Sequence, residues 1–227
     1  MVSNSSLDER ATAVEIGGLV DGVGAPVMRA AYALRSKPSW ITLSAVEGTG
    51  NSQVDVTAPV YKGREGRSGS ITVTVEDLTE DVAIQQSGSN IWDVTTQSLT
   101  FVKTGEAKKF KGNANLASIT FAVDSDASDW LIAGKLVVAT KQYNSGAAIE
   151  DDPGASDVYA FEITFTAAAN PTVNTRSGHV TVNGQKYTVT QAAGDATLSV
   201  SPTSLTFAAA GETKHITITT NTAWTIS

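Results

Sequence analysis

The sequence predicts an all-β chain of tandem β-sandwich modules, and three observations carry that prediction. The chain writes one stretch twice: R-S-G-S-I-T-V-T-V from Arg67 returns as R-S-G-H-V-T-V from Arg176, and V-A-I-Q-Q-S-G (Val82 to Gly88) returns as Y-T-V-T-Q-A-A-G (Tyr187 to Gly194). Within each copy apolar residues alternate with Thr, Ser or charge (Val180 and Val182 around Thr181, Tyr187 and Val189 around Thr188), the period of a half-buried strand. Asn183-Gly184 between the two runs is a strong hairpin signal, because a type I′ turn needs positive φ at both central residues. After each copy a new opening strand begins, S-L-T-F at Ser98–Phe101 and again at Ser204–Phe207. Each copy is therefore the closing hairpin of one module, followed by the first strand of the next.

The first module is expected over residues 1–88. Ser6-Leu7 stands where Ser98-Leu99 and Ser204-Leu205 stand later. Strands follow at Ala11 to Ile16, Pro26 to Leu34, Trp40 to Ser44 and Gln53 to Ala58, with a Gly-rich loop at Gly17 to Gly24 and a turn at Glu47 to Asn51. The closing hairpin runs from Ser70 to Gln85 around an acidic loop, Glu76 to Asp81.

The second module is expected over residues 89–194, after a short linker near Ser87 to Asn90. Its strands are read at Ser98 to Val102, Ala107 to Lys111, Ile119 to Val123 and from Trp130. Ile163 to Arg176 aligns without a gap on Val54 to Arg67 at an offset of 109 residues, whereas Trp130 aligns on Trp40 at an offset of 90. The difference is a 19-residue hairpin insertion, read as two elongated strands (Lys135 to Tyr143 and Val158 to Phe165) joined by a projecting loop, Asn144 to Asp157. Loops of that length inside a compact domain are functional or disordered in most cases. A third module, 195–227, supplies only opening strands (Leu198 to Phe207, Lys214 to Thr219, Trp224 to Ser227), after a second linker near Ala193 to Ala196. The reading expects its apolar residues to be covered by chain that continues past Ser227, or by strands from another subunit.

Composition narrows the function classes. Hydrophobic residues are 41% and charged ones 17%, enough to build cores. The net charge of −7, with no basic block, disfavours nucleic acid or an anionic membrane as partner. Without cysteine there is neither disulfide nor thiolate metal site. No apolar run approaches the ~20 residues that span a bilayer. The first ten residues lack signal-peptide features, so either a signal was removed or export by that route was never used.

The ordered motifs S-L-T-F, G-E-x-K (Gly105 to Lys108, Gly211 to Lys214), W-T-I-S, W-[IL]-x, R-S-G-x-[IV]-T-V and V-T-Q-A-A-G resemble the BACON family, strongly from about Trp40 onward. The resemblance implies an immunoglobulin-like, seven-stranded sandwich, of a kind found in surface proteins of gut Bacteroidetes and in the virion proteins of their phages. It further implies glycan or mucin binding for some members, spacer roles for others, and no catalytic residues.

Candidate chemistry is sparse. Trp40, Trp130 and Trp224 recur beside apolar residues and are read as core, the first two as equivalent buried sites. Aromatics that could stack on a sugar are Trp92, Tyr143, Tyr159 and Tyr61. D-S-D-A-S-D (Asp124, Asp126, Asp129) has carboxylates at calcium-like spacing but lacks the turn Gly and distal Glu of an EF-hand loop, so a solvated acidic turn is preferred. The insertion gathers the candidate partner-binding set: Tyr143, Glu150, Asp151, Asp152, Asp157 and Tyr159. No nucleophile elbow, phosphate loop or dinucleotide fingerprint appears, and His179 and His215 have no motif partner. The expectation is a non-catalytic structural or adhesive protein without cofactors, most simply a head-decoration or fibre component of a virion surface. Its partners would be other capsid proteins, itself, or host and mucin glycans. The alternative is a secreted or cell-surface bacterial glycan-binding or spacer protein.

Overall fold

The computed structural model describes residues 12–16 and 31–227. The chain is all-β apart from one 3-10 turn, and it divides into two compact units, residues 1–89 and 90–227.

In the first unit β1 (Thr12–Ile16), β2 (Ala31–Ser36), β3 (Thr42–Leu43), β4 (Glu47–Thr49), β5 (Ser52–Thr57), β6 (Arg67–Val75) and β7 (Leu78–Gln86) form two antiparallel sheets. Their orders are β1-β5-β3 and β4-β2-β6-β7. Ile41 and Val56 from one side meet Ile71 and Val73 from the other, with Trp40, Val82 and Ile84 packed around them. Three expectations are corrected here. Glu47 to Asn51 is not a plain turn, because Glu47–Thr49 pairs with β2. The acidic loop shrinks to a two-residue turn with Glu76 at φ 52, and Leu78 to Asp81 joins the ladder opposite Thr72 to Val75. Only Thr42–Leu43 of the Trp40 segment is strand. Ser6-Leu7, the Gly-rich loop and residues 26–30 of the second expected strand lie outside the described residues.

The second unit adds β8 (Trp92–Val94), β9 (Ser98–Phe101), β10 (Glu106–Ala114), β11 (Phe121–Val123), β12 (Leu131–Val138), β13 (Lys141–Tyr143), β14 (Tyr159–Ala167), β15 (Arg176–Val182) and β16 (Gln185–Gln191). One sheet runs β13-β12-β14-β10-β8 and the other β11-β15-β16-β9. All pairings are antiparallel except β9, which lies parallel to β16 with Leu99 opposite Val189 and Phe101 opposite Gln191. Alternation along β14 sends Phe161, Ile163 and Phe165 inward, where they meet Phe110, Val180, Val182 and Val189 in a close-packed interior. Tyr187 and Phe110 meet edge to face at 4.6 Å. The Asn183-Gly184 turn takes φ 47 and 76, as the hairpin reading requires.

The insertion departs from its expected form. Lys135 to Tyr143 is not one strand: the chain reverses at Ala139-Thr140, with Ala139 at φ 53, so β13 folds back along the far side of β12. The loop that follows does not project. Ser118 bridges Ala148, the Ile149 amide donates to the Ala117 carbonyl (2.9 Å), and the Ile149 side chain is 4% exposed within the core. Gly154, in the 3-10 turn Pro153–Ala155, passes so close to Asn115 that a Cβ would stand 2.2 Å from its carbonyl oxygen. An apolar residue and a close backbone approach pull the loop down as a cap on one end of the sandwich.

Beyond Gln191, β17 (Leu198–Ser201) pairs antiparallel with β18 (Thr217–Thr220). Ser204–Phe207 and Trp224–Ser227 are not strands, and Trp224 is 53% exposed, against the core position expected for it. Within the described residues no second sheet covers this hairpin.

Because Ile149 fills the core, Ile149→Ala should cost about 2–5 kcal/mol of second-unit stability in chemical denaturation, through lost transfer energy and the cavity left behind. Replacing residues 144–157 by a short turn should destabilise the unit by a similar or larger amount, rather than leave it unchanged as a projecting loop would.

Candidate functional site

The residues that repeat between the units assemble, in each, around one arginine. Arg176 opens β15 beside the end of β16, and its Nε donates to Gln191 Oε1 at 2.8 Å. Its Nη2 donates to the carbonyls of Ala168 and Ala169 (3.1 Å each), and the guanidinium lies 4.8 Å from the Trp130 ring centroid. Gln191, 1% exposed, returns its amide hydrogens to the carbonyls of Val102 (2.9 Å) and Ala168 (2.8 Å). Burial lowers the Arg176 pKa from its usual value.

In the first unit Arg67 Nε donates to Gln86 Oε1 (2.9 Å), Gln86 Nε2 donates to the Pro59 carbonyl (2.7 Å), and the guanidinium sits 4.2 Å from the Trp40 centroid. The glycine of R-S-G has a common reason: a Cβ on Gly69 would meet Pro38 at 2.4 Å, and one on Gly178 would meet Ala127 at 2.8 Å. The chain before each Trp lies directly on the strand that carries the Arg.

The units differ at one position of the gapless alignment. Tyr61 stands 4.3 Å from the Arg67 guanidinium, so one cation contacts two rings, Trp40 and Tyr61, all three half-buried. Its counterpart Asn170 is buried and spent on structure: Nδ2 donates to the Asn174 and Ala192 carbonyls, and Oδ1 accepts from Thr172. Trp130 is buried as expected, whereas Trp40 stays half-buried at the surface of its cluster.

The other sugar-stacking candidates are absorbed by packing. Trp92 lies in β8, not in a linker, and stacks on Phe161 at 5.0 Å. Tyr143 is half-buried against the core. Tyr159 is 8% exposed and donates its hydroxyl to the Leu116 carbonyl (2.6 Å), so it offers no face to a ligand. Tyr61 keeps the best-placed aromatic surface of the four.

The insertion carboxylates sit on the outer rim of the cap. Glu150, Asp151 and Asp157 are exposed and Asp152 is half-buried. Lys141 reaches Glu150 at 2.8 Å and Asp151 at 3.3 Å, which raises the lysine pKa. Asp151 and Asp152 have φ of 61 and 36, a left-handed corner that Asp tolerates. In the D-S-D-A-S-D turn Asp124 accepts from Thr181 (2.7 Å) and pairs with Lys186 (3.0 Å), while Asp126 accepts from the His179 amide and faces its Nδ1 at 2.7 Å. These partners hold both carboxyls below the usual carboxylate range. Among the described residues no three His, Asp or Glu side chains stand together to hold a metal ion. Sequence reasoning missed Arg67, Arg176, Gln86 and Gln191 as a working group. The signal was present, since all four recur at matching places in the doubled stretch.

The sequence profile of the BACON family, described as a putative binding domain, N-terminal, matches residues 31–87 and 120–192, more than half of the chain. No curated protein matches. Among solved structures, domains 4 and 5 of the S-layer protein SbsC are similar at 11% identity and TM-score 0.32, covering 71% of this chain and 70% of that one. A Porphyromonas gingivalis W83 protein is similar at 9% identity and TM-score 0.26, covering 71% and 84%. The endo-fucoidan hydrolase MfFcnA4 is similar at 11% identity and TM-score 0.28 over 73% of this chain and 23% of its own.

Gln191→Leu strands the Val102 and Ala168 carbonyls and the Arg176 Nε, and should cost about 2–4 kcal/mol of second-unit stability in denaturant titration. Gln86→Leu should cost less, because Gln86 is half-buried and water can replace its bonds.

The depressed Asp124 and Asp126 pKa values have a determined sign. Their contribution is fully present above the unfolded carboxylate value near ~4 and is lost as pH falls through the lower folded values. Melting curves of the protein and an Asp124→Asn/Asp126→Asn variant should converge as pH drops below about 4 and stay separated at neutral pH, the native chain being the more stable.

Proposed function

Because this chain belongs to the BACON family of putative binding domains, we propose that it is a non-catalytic binding and display protein of an exposed surface, carrying its modules outward on a virion. In this reading residues 1–88 and 89–194 are two immunoglobulin-like modules and residues 195–227 open a third. The observation that carries the binding role is the Trp40–Arg67–Tyr61 group, where one guanidinium contacts two half-buried rings. Aromatic surface beside a fixed polar donor is the chemistry that takes a sugar ring: apolar C–H faces stack on the aromatic and hydroxyls accept from the cation. The second unit replaces Tyr61 by a structural Asn170 and fits a spacer. A virion as carrier is supported by the family resemblance, which extends to phage virion proteins. The acidic rim of Glu150, Asp151 and Asp157 is proposed as the contact toward neighbouring proteins of that surface.

Retention on immobilised mucin glycans measures the first part. Tyr61→Ala should weaken binding about five- to thirtyfold, the equivalent of 1–2 kcal/mol, while leaving the melting temperature of the second unit unchanged. Undiminished retention by Tyr61→Ala would remove this site. Immunogold labelling of particles and of host cells tests the carrier: label on virions supports the reading, and label confined to bacterial envelopes replaces it with a cell-surface one.

A further inference from the structure

Within the second unit β16 is flanked on both sides, by β15 and, in parallel, by β9. Its counterpart β7 pairs with β6 in the same register, Arg67 opposite Gln86 as Arg176 is opposite Gln191. Among the described residues no strand lies along the other edge of β7. The consequences run through the neighbouring side chains. Val189 and Tyr187 are buried on β16, whereas Ile84 and Val82 at the same positions of β7 are only half-buried. Leu34, Leu43, Val54, Val56, Ile71, Val73 and Val82 line an apolar hollow of about 270 Å³, its volume open in part to solvent. Gln191 gives one amide hydrogen to Ala168 and the other to Val102, directly after β9; Gln86 gives one to Pro59, and among the described residues the Val102-type bond has no counterpart.

The missing strand has a specification. It runs parallel to β7, carries apolar residues at its second and fourth positions, as Leu99 (5% exposed) and Phe101 (1%) do, and offers a carbonyl just beyond to Gln86. Two stretches of the chain bear on it. Ser6-Leu7-Asp8-Glu9 matches at its first two positions, but sets a carboxylate where Phe101 is buried, which costs several kcal/mol of desolvation. Ser204-Leu205-Thr206-Phe207 matches β9 at all four, lies outside any strand, and leaves Phe207 54% exposed.

We propose that β7 is a strand-acceptor edge whose occupant is Ser204–Phe207 of a second copy of this chain, docked in parallel as β9 docks on β16. The register places Leu205 beside Ile84, Phe207 beside Gln86, and the Ala208 carbonyl at the free hydrogen of Gln86. Ladder hydrogen bonds supply affinity and the two apolar side chains supply selectivity. Because donor and acceptor are different surfaces, the contact is heterologous and repeats head to tail, giving short chains of copies. The proposal is independent of the glycan and virion readings.

The test uses the full chain and a labelled peptide of residues 201–210. In β16 the Ala192 amide donates to Phe101 (3.1 Å), so by strand alternation the amides of Ser87 and Gln85 face the open edge of β7. Gln85→Pro deletes one edge donor without touching the ladder to β6. The expected results are concentration-dependent mass growth in sedimentation velocity, abolished by Phe207→Asp, and saturable peptide binding to the Phe207→Asp chain, reduced about tenfold or more by Gln85→Pro. A scrambled peptide should not bind. Phe207→Asp alters only an exposed donor side chain, so its effect does not depend on refolding the acceptor unit. A monomer at all concentrations that also fails to bind the peptide overturns the proposal, as does association that survives Phe207→Asp.

Discussion

The arginine shared between a ring, a glutamine and the carbonyls of a neighbouring strand is the constraint on which both sandwiches depend. A closing hairpin must be held against the segment before it, and main-chain carbonyls at the ends of strands have no ladder partner left. Gln191 donates to two of them from inside the protein, and Arg176 satisfies two more while binding the glutamine's own oxygen. Removing any member leaves buried acceptors without donors, which costs more than the bond itself contributed. No buried polar side-chain atom among the described residues lacks a partner, and in the second unit this network is part of the reason.

From that shared frame the two units diverge by substitution at its border. Tyr61 adds a second ring to the cation in one unit, and Asn170 turns the same position into a buried tie in the other. The turn bearing Asp124 and Asp126 adds another local fastening. Those carboxylates hold the approach to Trp130 against β15 through His179, Thr181 and Lys186, and the ring they deliver is the one Arg176 lies over. The spacing that looks like a calcium loop is used for hydrogen bonds between segments.

The strand positions were legible because alternation in Phe161-Ile163-Phe165 or Val180-Val182 has one physical reading, a strand with one face buried. The doubled R-S-G and terminal Gln were equally legible, although their meaning was not. A motif shows that positions matter and leaves open which atoms meet: Arg176 and Gln191 stand across a hairpin, but Trp130 and Val102 reach them from elsewhere in the unit.

By itself the sequence determined the all-β class, the repeat and its hairpins, since these follow from local periodicity and from turn residues that few conformations accept. Burial of the insertion, reversal at Ala139-Thr140, the withdrawal of Trp92 and Tyr159 from the surface and the exposure of Trp224 were decided by tertiary structure. Each depends on whether a second surface is present to receive the side chain. An acidic stretch such as Ile149 to Asp157 reads as a solvated loop until the core below it has room for its one isoleucine.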